Sequence, residues 1–271
     1  MSQAPPIVLT IAGFDPSSGA GVTADIKTIA AHGCYGVSAI TALTVQSTAG
    51  VREVVPAGPK LLALTLEELW RDVKVSAVHI GMLGNGDVVS KVADFLEEVR
   101  GLRNVVLDPV LKSSSGAALL DQRGRELMME RLLALADVIT PNIDEAAELT
   151  GLEVKNPAQM ELAACRLHEM GAKAVVVTGG HLDQAVDVLS VKHGEVQTYR
   201  DERVDSPNTH GTGCAFSTAV ACQLALGQFL PMAVLLAKAY VLAAIKNSYS
   251  IGNGPGPVNH MHATGEPSRK K

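Results

Sequence analysis

One segment of the sequence places two glycines and a cysteine directly before an apolar helical pattern: NTHGTGC, from Asn208 to Cys214. Gly211 and Gly213 allow a tight backbone turn in which several N–H groups point into one concavity. The helix that follows adds the positive end of its dipole, so the segment predicts a pocket for an anion. Phosphoryl transfer needs such a pocket most, because its catalysis consists mainly of positioning and of stabilising negative charge.

Cys214 stands at the first turn of the predicted helix, where the pKa of a thiol tends to fall. The thiol is therefore a candidate base or charge-sensing group, and Thr212 belongs to the same predicted pocket. Glycines also begin helices that bind no anion. The other segments of the chain must decide between these two interpretations.

The composition favours one large α/β unit. The chain has 271 residues, and no Pro/Ser/Gly-rich linker interrupts positions 7–251. We expect a single domain over 1–271, with a short extension at 1–6 and a flexible tail at 264–271. Hydrophobic residues make up 47%, enough for a large core, and the 3% share of aromatic residues means that this core is aliphatic.

Charge and cysteine usage restrict the partners and the compartment. The formal net charge of −5 argues against nucleic acid or an anionic membrane, since both attract clustered Lys and Arg. The four cysteines form no CxxC pair and no metal-type spacing, which is typical of free thiols in a reducing compartment. The first residues lack the pattern of a signal peptide, and the longest apolar helical pattern, at 231–245, is too short to span a bilayer. We therefore expect a cytoplasmic protein.

Short apolar runs alternate with helical patterns along the chain, which predicts βαβ units around a mostly parallel sheet with helices on both faces. The turn Lys192-His193-Gly194 predicts an antiparallel hairpin late in the chain. The predicted strands are 7–12, 36–45, 77–80, 104–107, 138–140, 174–177, 186–191 and 195–199, and the predicted helices are 20–31, 59–73, 87–100, 124–136, 157–170, 215–226 and 231–245.

In such sheets ligands bind beyond the carboxyl ends of the strands, so the residues that follow each strand are the candidates for a site. A glycine loop, GFDPSSGAG, follows the first strand, and Asp25 lies one helical turn beyond it. The other residues selected by this rule are Gln46, Gly81, Met82, Asp108, Pro109, Pro141, Asn142, Thr178, Gly179 and Gly180.

Two nucleotide-binding patterns are weak or missing. Gly19 to Ala24 match the G-x-G-x-x-A form of a dinucleotide fingerprint, which would indicate an oxidoreductase. That fingerprint expects an acidic residue at the end of the second strand, and positions 41–45 contain none. A Walker A sequence is absent, which argues against a P-loop NTPase.

Gln46, Asp25 and Met82 each allow two interpretations. The Gln46 amide complements an amino-substituted ring nitrogen, or it bonds to the neighbouring backbone. Asp25 binds a ligand beside the glycine loop, or it is a solvated surface charge. Met82 packs in the core, or its thioether lies against a flat heterocycle.

The segment after Pro141 also allows two interpretations. Asn142 begins a short helix as its N-cap, with acidic residues that complement the dipole, or Glu145 holds Mg²⁺ through water. Asp108 either lies near the same phosphates or closes the turn with Pro109.

Taken in order, these segments resemble the hydroxymethylpyrimidine/phosphomethylpyrimidine kinases of thiamine biosynthesis, a family of the ribokinase-like superfamily. The resemblance spans nearly the whole chain, and the specificity comes from the order of the motifs. They are LTIAGFDP at 9–16, GAG at 19–21, TALTVQ at 41–46, IGML at 80–83, VLDPV at 106–110, TPN at 140–142, GGH at 179–181, NTHGTGC at 208–214 and GPVNH at 256–260.

The resemblance implies a ribokinase-like, three-layer αβα fold, a homodimer, and two successive ATP-dependent phosphorylations of 4-amino-5-hydroxymethyl-2-methylpyrimidine. Gln46, Gly13, Asp25 and Met82 would bind the pyrimidine. Gly211, Thr212, Gly213 and Cys214 would act on the γ-phosphoryl group, with Cys214 as hypothetical base. The residues implied for ATP and phosphate are Asp108, Lys112, Asn142, Thr178 and Gly180, with Glu145 facing Mg²⁺.

Two departures from the family pattern concern phosphate binding. Ser114 stands where the family usually has a lysine, with Lys112 two residues earlier as a substitute, and Thr178 stands where a lysine often precedes the paired glycines. Two rival interpretations follow: a pyridoxal or pyridoxine kinase on the same scaffold, and a pyrimidine-binding regulatory protein without catalysis.

Overall fold

The computed structural model describes residues 4–99, 101–180, 182 and 184–262. Within them, the strands form one sheet, in which β1 lies at the centre of the N-terminal half. The strands are β1 (Ile7–Phe14), β2 (Tyr35–Ser47), β3 (Gly50–Pro56), β4 (Val75–Ile80), β5 (Val105–Leu107), β6 (Val138–Ile139), β7 (Ala174–Gly179), β8 (Ala185–Val191) and β9 (Val196–Asp201). Their spatial order is β3-β2-β1-β4-β5-β6-β7-β8-β9.

The sheet is parallel from β2 to β7 and antiparallel at both edges. The helices between the strands are α1 (Gly21–Ala31), α2 (Pro59–Asp72), α3 (Gly86–Glu98), α4 (Gln122–Leu127), α5 (Leu133–Leu135), α6 (Ile143–Thr150), α7 (Pro157–Glu169), α8 (Thr212–Ala225) and α9 (Leu230–Lys246). None of the helices in the described ranges is both long and apolar enough to cross a membrane.

Alternate side chains of the central strands belong to two separate cores. In β1, Val8 packs in the core that includes α8 and α9, whereas Leu9 packs in the core that includes α3 and α7. Val105 and Val106 of β5 divide in the same way. Because successive strand residues point to opposite faces, helices cover both sides of the sheet. This arrangement confirms the predicted three-layer α/β architecture with its mostly parallel sheet.

The main difference from the sequence prediction is β3, which the apolar pattern did not indicate. This strand forms a hairpin with β2 at the edge of the sheet and carries the exposed charges Arg52 and Glu53. An edge strand with charged residues lacks the apolar run by which buried strands are found. The helix predicted at 124–136 is divided by a π-helical turn at Met128–Leu132. The predicted hairpin of β8 and β9 is confirmed.

Some predicted features fall outside the described residues. The extension at 1–6 lies there in part, and the tail at 264–271 lies there entirely. His181, which ends the GGH motif, also lies outside them.

Candidate active site

One cavity of about 1120 Å³ lies at the carboxyl ends of the parallel strands. The structure brings to it every residue that the sequence analysis assigned to the pyrimidine, the phosphates or Mg²⁺, whereas the candidates Pro109, Pro141 and Gly179 do not line it. They are Gly13, Asp25, Gln46, Met82, Asp108, Lys112, Asn142, Glu145, Thr178, Gly180, Gly211, Thr212, Gly213 and Cys214.

The NTHGTGC segment forms a tight turn into α8, as predicted. Gly211 precedes the helix with φ 83°, and a Cβ there would overlap the carbonyl oxygen of Gly19, so the position requires glycine. The first N–H groups of a helix have no partner inside it. Thr212 N donates to Thr209 O, whereas the amides of Gly213 and Cys214 meet no acceptor within the described ranges. Two amides at the positive end of α8 therefore remain available for an anion.

Residues near the C-terminal end of the described chain brace this turn. His210 N donates to Gly256 O at 3.1 Å, and Val258 N donates to His210 O at 3.2 Å. The buried Asn208 accepts a hydrogen bond from Gly256 N at 3.1 Å. The GPVNH motif thus holds the turn in place through backbone hydrogen bonds.

The pKa of the Cys214 thiol is raised, whereas its position at the start of the helix predicts a lowered pKa. Burial and the carboxylates of Asp108 and Asp25 raise the pKa of the thiol well above its ordinary value. The Gly21 N–H hydrogen-bonds to the sulfur and lowers the pKa by a smaller amount. The expected low pKa was wrong, because burial, together with two carboxylates from distant parts of the chain, outweighs the helix dipole. At rest, Cys214 is a thiol.

Asp25 lies beneath the cavity, where its side chain is wholly shielded from solvent. Its Oδ1 accepts a hydrogen bond from Thr218 Oγ1 at 2.8 Å, and its Oδ2 accepts one from Thr10 Oγ1 at 2.6 Å. The Nδ1 atom of His79 lies 3.3 Å from the same Oδ2. Asp25 is therefore not a solvated surface charge, and both its oxygens are engaged by the chain itself.

Asp108 is buried beside Cys214, whose thiol slightly lowers the pKa of the carboxyl. Burial raises the pKa of Asp108 to about 6, against the opposing effects of the His79 charge and the hydrogen bond from Ser217. The Ser217 Oγ donates to Asp108 Oδ2 at 3.2 Å. Near neutral pH this carboxyl is thus ionised but readily protonated, as a proton acceptor must be.

Gln46, Gly13 and Met82 lie together at the other end of the cavity. The Oε1 of Gln46 accepts a hydrogen bond from Thr44 Oγ1 at 3.1 Å, and its Nε2 lies 3.4 Å from Nε2 of His210. A Cβ at Gly13 would meet the Met82 sulfur at 2.8 Å, so the thioether lies directly against bare backbone. The grouping of an amide, a backbone strip and a thioether suits a small, flat, polar heterocycle.

A hydrogen-bonded pair that the sequence analysis missed joins the two glycine loops. Asp15 accepts hydrogen bonds from Ser17 N at 2.8 Å and Ala20 N at 2.9 Å, which fixes the first glycine loop. The Nε2 of His210 lies 3.0 Å from Asp15 Oδ2. Burial tends to raise the pKa of Asp15, but the hydrogen bonds from His210 and Ser17 lower it overall. Both residues stood inside the quoted motifs, but nothing in the sequence indicated that they pair.

Glu145 and Asn142 form a capping box at the start of α6. Asn142 Oδ1 accepts a hydrogen bond from Glu145 N at 2.9 Å, and Glu145 Oε2 accepts one from Asn142 N at 2.9 Å. The plain interpretation of the sequence is therefore correct. Burial and the charge of Asp108 raise the pKa of Glu145 to about 8, and no cationic side chain of the described residues pairs with it. A carboxyl such as that of Glu145, which has no paired cation, fits a divalent ion held through water.

Two lysines that line the cavity are already paired. Lys112 Nζ lies 2.8 Å from Glu148 Oε2 on a solvent-exposed surface. Lys238 of α9, which the sequence analysis missed, forms a buried ion pair of 2.7 Å with Asp187. Thr178 and Gly180 line the cavity at the end of β7, and Ser114 is exposed at its rim. Ser114 and Thr178, which stand where the family usually has lysines, thus bring no positive charge to the cavity at those two positions.

Comparisons with known proteins agree with this geometry. A hydroxymethylpyrimidine/phosphomethylpyrimidine kinase of Haemophilus influenzae is 42% identical over 258 residues, which cover 93% of this chain and 96% of that protein. A Bacillus subtilis pyridoxal kinase, solved as an ADP complex, superposes with a TM-score of 0.89 at 36% identity, covering 96% of this chain and 99% of that one.

A Clostridium difficile phosphomethylpyrimidine kinase superposes with a TM-score of 0.78 at 38% identity, covering 89% of this chain and 99% of that one. These likenesses confirm the ribokinase-like fold that the resemblance implied. The model of the family described as phosphomethylpyrimidine kinase matches residues 15–259. The chain therefore belongs to the phosphomethylpyrimidine kinase family.

Proposed function

We propose that the protein transfers the γ-phosphoryl group of ATP to the hydroxymethyl group of 4-amino-5-hydroxymethyl-2-methylpyrimidine, and then to the monophosphate, in thiamine biosynthesis. One observation carries the proposal: a single cavity connects the Gln46 amide with the open amides of Gly213 and Cys214. Ligand pockets usually measure about 300–1000 Å³. A cavity of about 1120 Å³ has room for a small heterocycle and a nucleotide together.

Gln46 binds the aminopyrimidine edge, because its amide offers both an acceptor and donors. The Gly13 backbone and the Met82 thioether lie against the ring. Asp25 supports the pyrimidine site from beneath, because both of its oxygens already accept hydrogen bonds from the hydroxyls of Thr10 and Thr218. This arrangement places the hydroxymethyl group toward α8.

Cys214 and Asp108 together remove the hydroxyl proton. The raised pKa of the thiol argues against a resting thiolate. As the substrate oxygen attacks phosphorus, its proton passes to the Cys214 sulfur and the thiol proton passes to the Asp108 carboxylate. The O–H bond breaks, the thiol is regenerated, and Asp108 ends protonated. The amides of Gly213 and Cys214 stabilise the migrating phosphoryl group.

Mg²⁺ fits the acidic side of the cavity. Glu145 would hold it through water, near Asp108 and Asn142. The bound ion would neutralise charge on the ATP phosphates. Thr178, Gly180 and Lys112 contact phosphate oxygens in this proposal, and Lys112 is free to do so because an exposed ion pair is weak.

The proposal extends to the assembly and the compartment. Leu43 and Val55 are neighbours across β2 and β3, and each is about half exposed, with Val45 beside them. An exposed apolar patch at a sheet edge supports a homodimer. All four cysteines are free, which supports a cytoplasmic location.

The test is ADP release by the purified protein with Mg·ATP and four separate acceptors: the aminopyrimidine alcohol, its monophosphate, pyridoxal and pyridoxine. We expect turnover with the first two and a product of matching mass. Preference for pyridoxal would favour the pyridoxal kinase function, for which the similarity to the Bacillus protein is the specific support. Tight binding of the pyrimidine without turnover would favour the regulatory binding protein and contradict the proposal.

A further inference from the structure

A continuous hydrogen-bonded chain runs beneath the candidate active site, and His79 lies at its centre. His79, at the end of β4, is completely buried. Its Nδ1 lies 3.3 Å from Asp25 Oδ2, and its Nε2 lies 2.9 Å from Ser217 Oγ. Ser217 in turn donates to Asp108, the partner of Cys214. The chain therefore links the residue beneath the substrate end to the residue beneath the phosphoryl end.

The hydrogen-bond directions in this chain favour a state in which both nitrogens of His79 are donors. The hydroxyl hydrogen of Thr10 is used on Asp25, so the contacts of Nδ1 with Thr10 Oγ1 and Asp25 Oδ2 need an N–H on Nδ1. If Nε2 were bare, Ser217 would donate to it and could not donate to Asp108. With an N–H on Nε2, the Ser217 hydrogen is free for its other acceptors, which are Asp108 Oδ2, Gly213 O and Cys214 O. An imidazolium is therefore compatible with every contact that His79 itself makes.

The charges around His79 favour the same state. Asp25 faces it from α1 and Asp108 from the end of β5, while Cys214 and Ser217 lie on α8. Burial alone would lower the pKa of His79, but the two carboxylates outweigh it and raise the pKa. Asp108 is also faced by Asp25, whose charge opposes its ionisation, and the charge of Asp108 in turn raises the pKa of the neighbouring Glu145. His79 is the cation among these neighbours.

We propose that His79 is a positioning residue for phosphoryl transfer: as an imidazolium held between Asp25 and Ser217, it keeps Asp108 ionised and aligned to receive the Cys214 thiol proton. The proposal rests on the kinase function proposed above. According to the proposal, His79 controls the charge state of Asp108, although His79 touches neither substrate nor nucleotide. His79 therefore sets the lower pH limit of activity.

The test compares the pH dependence of kcat/KM for the pyrimidine in the wild type, His79→Gln and His79→Lys. Loss of the cation should move the acidic limb upward by about 1 pH unit, because a nearby opposite charge favours the ionised carboxyl. His79→Lys restores the charge and should return the limb toward the wild-type position, with KM for the pyrimidine nearly constant in all three. An unmoved limb in His79→Gln overturns the proposal.

A matched control is available in His168, a second buried histidine. Its Nε2 also lies 2.9 Å from a serine hydroxyl, that of Ser190, but it is absent from the cavity lining. His168→Gln should leave the acidic limb in place. An equal shift in this variant would show that the limb reports general destabilisation, which contradicts the proposal.

A measurement independent of turnover separates this proposal from the proposed function. In the wild type, ¹⁵N NMR of the His79 imidazole should show both nitrogens protonated at neutral pH, and ¹³C NMR should show the Asp108 carboxyl titrating at higher pH in His79→Gln. A neutral His79 overturns the proposal even if the enzyme is active. A charged His79 in a protein that does not phosphorylate the pyrimidine contradicts the proposed function alone. If His79→Gln does not fold, the ¹⁵N spectra of the wild type and Asp108→Asn decide, since removal of the carboxylate should lower the pKa of His79.

Discussion

The imidazole of His210 lies 3.0 Å from the carboxylate of Asp15, although 194 residues separate them in the chain. The pair ties the glycine loop after β1 to the turn that begins α8. It also lies next to Gln46. The substrate end and the phosphoryl end of the cavity therefore share one tether.

This tether predicts an acid-dependent loss of stability. The folded-state pKa of Asp15 lies below the ordinary value of 3.8, so its stabilisation is present above that value and is lost as pH falls through the folded pKa. Asp15→Asn should therefore be less stable than the wild type at about pH 5, with the gap closing toward about pH 2.5. Urea unfolding across this range measures it. Asp72→Asn, at an exposed position, is the control, and a gap independent of pH would contradict the prediction.

Cys214→Ala should fold normally and bind the pyrimidine with nearly unchanged affinity. Its turnover should fall at least tenfold, since loss of a general base typically costs about 10²- to 10⁴-fold. Steady-state ADP release and pyrimidine titration separate the two effects. Cys165→Ala, at an exposed thiol outside the cavity, should retain full activity. Unchanged turnover in Cys214→Ala would remove the thiol from the mechanism.

Gln46→Leu should weaken pyrimidine binding by roughly fivefold, because one neutral hydrogen bond contributes about 1 kcal/mol. Isothermal titration calorimetry with the pyrimidine alone measures this effect without turnover. Gln228→Leu provides an exposed comparison. Equal affinity in Gln46→Leu would place recognition of the ring elsewhere.

Gly211 and Gly213 should respond differently to alanine. Gly211→Ala forces a positive φ on alanine and a clash with the Gly19 carbonyl, so unfolding should require about 1–3 kcal/mol less free energy. A Cβ at Gly213 meets nothing within 4 Å, and the stability of Gly213→Ala should change by less than about 0.5 kcal/mol. Its methyl group intrudes where the phosphoryl group is proposed to bind, so turnover should fall at least about tenfold. Full activity in Gly213→Ala would argue against that placement.

The buried ion pair of Lys238 and Asp187 predicts that removing one partner lowers the free energy of unfolding more than removing both partners does. Lys238→Met leaves a buried carboxylate alone and should cost about 3–5 kcal/mol. Combining it with Asp187→Leu should recover part of this loss, although Gly179 N then loses its acceptor. Chemical denaturation of Lys238→Met, of Asp187→Leu and of the double variant measures the coupling. A single variant that costs no more than the double would show that the pair is not coupled.

The sequence allowed the fold and the location of the site to be predicted for separate reasons. Apolar runs marked β1, β2 and β7, and the rule that ligands bind at strand ends then selected Gly13, Gln46 and Thr178 without coordinates. The residues had to meet because parallel strands end at one edge of the sheet. Edge strand β3 was missed, since its charged, half-exposed residues carry no apolar pattern.

The electrostatics of the site could not be predicted in the same way. The acidity of Cys214 depends on Asp25 and Asp108, which are brought beside it only by the packing of α1 and α8 on the sheet. His79 stood in an apolar strand with nothing to distinguish it from a core residue. Charge states depend on distances between remote segments, and a linear pattern contains no such distances.

The bracing of the NTHGTGC turn by Gly256 and Val258 makes the anion pocket depend on two segments that lie far apart in the chain. The turn keeps its shape only while the later segment holds the earlier one. A substitution that displaces Gly256 or Val258 would therefore reshape the phosphoryl end of the cavity from outside it.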